Sequence, residues 1–204
     1  MKLFELFIDE LEEMTGVNAL SLVENPAIQS DWVALSDQKK VLLAEVSADK
    51  QILMGAALIP DKPIYRNMDG EEFYIYFSKE TVAKAAEMFF KKHNQNSATL
   101  EHSQRIDGMT VFESWIVEDP KMDKSAKYGL EVPEGTWMVS MKVDNDAIWQ
   151  DFVKNNKVFG FSIEGQFANT LVKDNYSETL HHLSDQKIEK ALENVKSILT
   201  EYYN

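Results

Sequence analysis

The chain has 204 residues, 44% of them hydrophobic and 11% aromatic, which suits one globular domain, alone or with appendages, and excludes a disordered chain. It has no cysteine, which removes disulfides and thiolate metal sites, and its formal charge of −13 repels nucleic acid and anionic membrane. The acidic stretch 9–13 (DELEE) breaks the opening apolar segment, so no signal peptide is read. No run approaches the roughly 18 apolar residues of a spanning helix, so a soluble, intracellular protein is expected.

Residues 2–8 (KLFELFI) predict a strand that is apolar on both faces, followed by an acidic turn ending at Thr15-Gly16. Residues 17–23 (VNALSLV) predict a second strand, ended by Asn25-Pro26 because proline offers the ladder no donor. Residues 29–50 are mixed and polar, with short apolar runs at Trp32–Leu35 and Val41–Val46, and read as a connector that holds a helix or a strand. From Ile52 the pattern sharpens: ILMGAALIP predicts a buried strand, and a turn at Asp69-Gly70 leads into the strand FYIYF, 73–77. Ser78 has the chemistry of an N-cap for a helix over 79–92, in which Val82, Ala85, Ala86, Phe89 and Phe90 share one face.

Strands follow at 97–102 (SATLEH) and 109–117 (MTVFESWIV), then a lysine-rich loop from Asp119-Pro120 to Gly129. WMVSMKV (137–143) is another strand, Asp144 is placed to cap a short helix over 145–154, and VFGFSIEGQF (158–167) is the last strong strand. An amphipathic helix is expected near 185–202, with the stripe Ile188, Leu192, Val195, Ile198, Leu199 and Tyr202. Many strands, few helices and no regular β-α alternation predict an α+β domain: a mainly antiparallel barrel or sandwich with helices packed outside and a C-terminal helical appendage. The expected division is 1–170 as the main domain and 171–204 as linker and appendage, with 29–50 a connector inside the first.

Chemistry concentrates at two places. Ser162 lies inside the strand 158–167, where period-two alternation puts Phe159, Phe161 and Ile163 on one face and Gly160, Ser162 and Glu164 on the other. Gly160 and Gly165 leave room for another backbone to come close. His102 closes the strand 97–102. Nucleophile and base must converge to act, so these two define a candidate Ser/His site and, on chemistry alone, nothing finer. GFSIEG misses the G-x-S-x-G elbow by one position, which argues against an α/β-hydrolase. His93, His181 and His182 have no ligand-spaced partners, and no glycine-rich phosphate loop is present, so no metal and no cofactor are expected.

The order of segments is more specific than any one of them. GAALIP, FSKETVAKAAEMF, TLEHS, GMTVFESWIVEDP, YGLEVPEGTWMVSMKV and FGFSIEG, over roughly residues 51–168, resemble the core of tailed-phage prohead (capsid-maturation) proteases. That family shares its fold with the herpesvirus maturational proteases. SLVENPAI (21–28) resembles a strand that in the usual family arrangement follows the serine strand. Here it precedes everything else, so the chain resembles a circularly permuted member, similar to the phage serine proteases of the XkdF-like type.

The resemblance implies a β-barrel serine endopeptidase with His102 and Ser162 as its catalytic pair and backbone N–H groups as oxyanion hole. Its implied substrates are scaffold and capsid proteins, its place the host cytoplasm and procapsid interior, and self-association through the C-terminal helix is a further expectation. An acid that precedes S-L-V in the unpermuted family is replaced here by Asn18 and Ala19. Glu164, on the Ser162 face, is the candidate third member, Glu24 is the other, and a dyad of Ser162 and His102 without a third member is the remaining option. The alternatives are a catalytically inactive protease-fold scaffold or capsid-interior protein, and a β-barrel binding module with an interaction helix. A catalytic pair requires 17–23 to pair beside 158–167 and His102 to approach hydrogen-bonding reach of Ser162.

Overall fold

The computed structural model describes residues 2–12, 14–26, 43–47 and 50–173. The strands are β1 (Lys2–Phe7), β2 (Gly16–Val23), β3 (Leu43–Ser47), β4 (Ile52–Leu58), β5 (Ile64–Met68), β6 (Glu71–Phe77), β7 (Ala98–Leu100), β8 (Gln104–Ile106), β9 (Met109–Ile116), β10 (Trp137–Val143), β11 (Gly160–Gln166) and β12 (Ala168–Lys173). They form three four-stranded sheets, ordered β12-β1-β6-β5, β3-β4-β10-β9 and β11-β2-β7-β8.

Among the described residues the expected barrel is not formed. A barrel needs every strand hydrogen-bonded on both sides, whereas each sheet here ends in two strands with a single ladder partner. The sheets meet through side chains instead, so the architecture is mostly β with three open sheets. Among the described residues the helices packed outside are α1 (Lys79–Lys91) and a short helix, Asp146–Ile148, that runs into a π-helical turn, Trp149–Val153. The C-terminal helix expected near 185–202 lies outside the described residues.

One core gathers residues from all three sheets and from α1, among them Leu20, Leu22, Leu58, Phe77, Phe89, Trp137 and Phe161. Ser78 caps α1 by accepting from the Thr81 amide, and Val82, Ala85, Ala86 and Phe89 are buried as their spacing predicts. Phe89 meets Trp137 edge-on with centroids 5.4 Å apart, which locks the helix over β10. The short helix is capped by Asn145, whose side chain accepts from the Ile148 amide, rather than by Asp144. Either residue has cap chemistry; the chain turns one position later than the sequence suggests.

A smaller apolar cluster of Met54, Ala56, Val117, Leu130 and Met138 is completed by the stretch after β9, which reads as a polar loop in sequence. Beside it Glu113 accepts hydrogen bonds from Lys124 and from Ser140, which is almost fully buried. Burial pushes the Glu113 carboxyl up, but the hydrogen bonds from Lys124 and Ser140 and the Lys124 charge outweigh it, and the group ends below its usual range. A depressed folded value gives stability that is complete above the unfolded carboxylate value, about 4.3, and is lost as pH falls through the folded value. Acid unfolding of Glu113→Gln is therefore expected to lack that part of the pH dependence, read from denaturation midpoints between neutral pH and about pH 3.

The segment 17–23 pairs antiparallel with the serine strand, as the displaced SLV segment requires. Register runs Phe161 to Leu22, Ser162 to Ser21, Ile163 to Leu20 and Glu164 to Ala19, with a bulge before Gly165 and Val17. On its other side β2 pairs parallel with β7, Ser21 opposite Thr99. Gly165 permits the bulged crossing: a Cβ there would lie 2.1 Å from the Gly16 carbonyl oxygen and 2.9 Å from its carbon. Both obstacles are backbone, so Gly165→Ala is expected to cost about 3 kcal/mol in denaturant unfolding, against near neutrality for an ordinary exposed strand substitution.

Candidate active site

The sheet β11-β2-β7-β8 has two unlike faces. Phe161, Leu20, Leu22, Ala98 and Leu100 turn into the core, while Ser162, Glu164, Ser21, Ala19 and Thr99 share the opposite face. Ser162 is 8% exposed and Ser21 is fully buried, so the row Ser162, Ser21, Thr99 runs across three strands as a band of hydroxyls.

His102 does not end a strand. β7 stops at Leu100, and Glu101, His102 and Ser103 form the turn into β8. Glu101 (φ 50°) and His102 (φ 54°) are both left-handed, an arrangement that costs non-glycine residues about 1 kcal/mol each and persists only where neighbours impose it. β2 supplies the neighbours. The Glu101 amide donates to the Leu22 carbonyl at 3.0 Å, the Glu24 amide donates to Glu101 Oε1 at 2.6 Å, and the His102 amide donates to Ser21 Oγ at 3.0 Å. Ser21 Oγ itself reaches the Thr99 carbonyl at 3.4 Å. Residues 21–24 thus hold the histidine turn in place, a task that sequence reading did not assign to them.

Glu164 sits directly across from Ala19. A methyl side chain there leaves the surface of β2 open, and the Glu164 carboxylate lies over it toward β7. Its Oε1 is 3.2 Å from His102 Nδ1 and accepts a hydrogen bond from Thr99 Oγ1. A carboxylate only accepts, so Nδ1 is the nitrogen that carries the proton, and Nε2 of the neutral ring is left as the base. Glu164, on the strand next to β2, is thus the carboxylate that meets the His102 ring, while its register partner Ala19 carries none.

Of the three residues singled out from sequence, the structure brings Glu164 to His102 and sets Ser162 on the same face. His102 and Ser162 share no hydrogen bond; Ser21 and Glu164 stand between them as common neighbours. Glu24 meets the Glu101 carboxylate with its backbone amide. A cavity of about 240 Å³ borders β11 on its other side, among Leu6, Ile64, Ile75, Ile163 and Phe167. Arg66 and Ser162 also line it, and strand alternation sets Ser162 and Glu164 on the face of β11 opposite Phe161 and Ile163. Sequence reading missed Thr99 and Ser21. The signal that would have found them is the register: once 17–23 pairs with both serine and histidine strands, a hydroxyl at 21 and another at 99 must fall beside 162.

Residues 39–171, well over half of the chain, match the family model described as "Putative phage serine protease XkdF". No curated protein and no solved structure matches the chain. With the family match added to the ordered motifs, the chain belongs to the XkdF family of phage serine proteases.

Proposed function

We propose that the protein is a serine endopeptidase of phage capsid maturation, cleaving scaffold and capsid-protein segments inside the procapsid in the host cytoplasm. The observation that carries this reading is the contact of Glu164 Oε1 with His102 Nδ1 on the face that also bears Ser162.

Ser162 Oγ attacks the scissile carbonyl and its proton passes to His102 Nε2. The resulting imidazolium is stabilised by the Glu164 carboxylate, which stays ionised. Collapse of the tetrahedral intermediate breaks the C–N bond, and the imidazolium gives its proton to the leaving amine. Water, deprotonated by the same Nε2, then attacks the acyl-Ser162 ester and releases the second product. Oxygen and nitrogen of the base–nucleophile pair must come within about 3.2 Å for this, a closure that commonly completes only with substrate bound.

A second reading, a protease-fold protein retained as an inactive scaffold or capsid-interior component, draws on the lack of a direct His102–Ser162 hydrogen bond. Co-expression with the phage's own capsid and scaffold proteins separates the two. New protein termini with wild type, and none with Ser162→Ala, are expected; identical termini in both would leave the inactive reading standing.

A further inference from the structure

Position two residues along a strand from Ser162 does not by itself keep a carboxylate on His102. The Glu164 side chain is 31% exposed and has three free torsions, so without a second tie it would turn into solvent. The tie is Thr99. Its hydroxyl donates to Oε1, the same oxygen that faces His102 Nδ1, and it does so diagonally over β2, where Thr99 stands opposite Ser21 and Glu164 opposite Ala19. Thr99 is β-branched, which restricts its χ1 and presets the direction of the hydroxyl. Its carbonyl also receives Ser21 Oγ, whose other partner is the His102 amide. One residue thus stands where the support of the carboxylate and the support of the histidine backbone meet.

We propose that Thr99 is a positioning residue for proton transfer: its hydroxyl holds the Glu164 carboxylate against His102 Nδ1, which fixes the tautomer that leaves Nε2 as base. The proposal rests on the reading of His102 as the general base of a serine hydrolase. The bland role for a threonine in β7 is strand formation, which valine fills equally well.

The full-length chain is compared as wild type, Thr99→Val and Thr99→Ser. One readout is the rate of covalent labelling by a fluorophosphonate probe; the other is the long-range proton–nitrogen NMR spectrum of the His102 ring. Loss of a hydrogen bond to a charged group predicts labelling about tenfold to a hundredfold slower in Thr99→Val, with Thr99→Ser within about threefold of wild type. The spectrum should show the Nδ1-protonated tautomer in wild type and Thr99→Ser, and a shift toward the other tautomer in Thr99→Val.

A wild-type rate with an unchanged ring spectrum in Thr99→Val overturns the proposal. If Thr99→Val loses its native amide spectrum, Thr99→Ala against Thr99→Ser takes its place, and equal spectra in that pair overturn the proposal too. Failure of the probe to label even wild type would sink the protease reading, while the ring spectrum still decides whether Thr99 governs the Glu164–His102 contact.

Discussion

Glu164→Gln is expected to slow cleavage of a capsid-protein substrate about 10³- to 10⁴-fold, with KM changed by no more than about threefold. Glutamine matches glutamate in shape and still accepts from Thr99, so the strand pairing of β11 with β2 should survive. What it lacks is the negative charge that stabilises the imidazolium, and its amide nitrogen, turned toward Nδ1, would favour the wrong tautomer. That stabilisation is required only when the ring is protonated, which is in the transition state, so the loss falls on kcat. A carboxylate that merely lined the rim for a basic substrate residue would behave oppositely, raising KM and sparing kcat. The split between the two constants is the measurement.

Ser162→Ala and His102→Ala are each expected to lower turnover about 10⁶-fold, and the double variant no further. A nucleophile and its base act as one unit: with either gone the other has nothing to do, so the losses do not add. The stability cost should be small for both. Ser162 makes no hydrogen bond to His102 that alanine would forfeit, and His102 is exposed, with its backbone held by Ser21 and its side chain by Glu164. Unfolding midpoints close to wild type, beside a lost activity, separate a catalytic role from a structural one.

Much of this arrangement is legible in the amino-acid sequence, and what is not has physical causes. The amphipathic stripe and the cap of α1 are local properties, and they survive in the fold unchanged. The pairing of 17–23 with 158–167 was legible through the displaced S-L-V segment, although nothing local to either strand specifies it. Sheet closure was not legible. Alternation states which face of a strand is apolar but not whether its last edge finds a partner, so three open sheets and a barrel share one hydrophobic pattern.

β5 and β8 were overlooked because IYRNM and QRI are too polar and too short to stand out; their hairpin partners, β6 and β7, bring them into the sheets. β12 was overlooked because its pairing partner, β1, lies at the other end of the chain. At the site, Ser162, Glu164 and His102 were legible as types on faces. The left-handed turn at 101–102 was not, because glutamate and histidine carry no preference for it; Ser21, Leu22 and Glu24 impose it from another strand.

The central claim is that Ser162 is a nucleophile activated by His102. The most direct measurement is mass-spectrometric mapping of the residue modified when the purified full-length chain reacts with a fluorophosphonate probe near neutral pH. A single phosphonylated peptide is expected, spanning 158–167 with the adduct on Ser162, and it should disappear in His102→Ala. An unmodified Ser162, or one modified equally with and without His102, would contradict it.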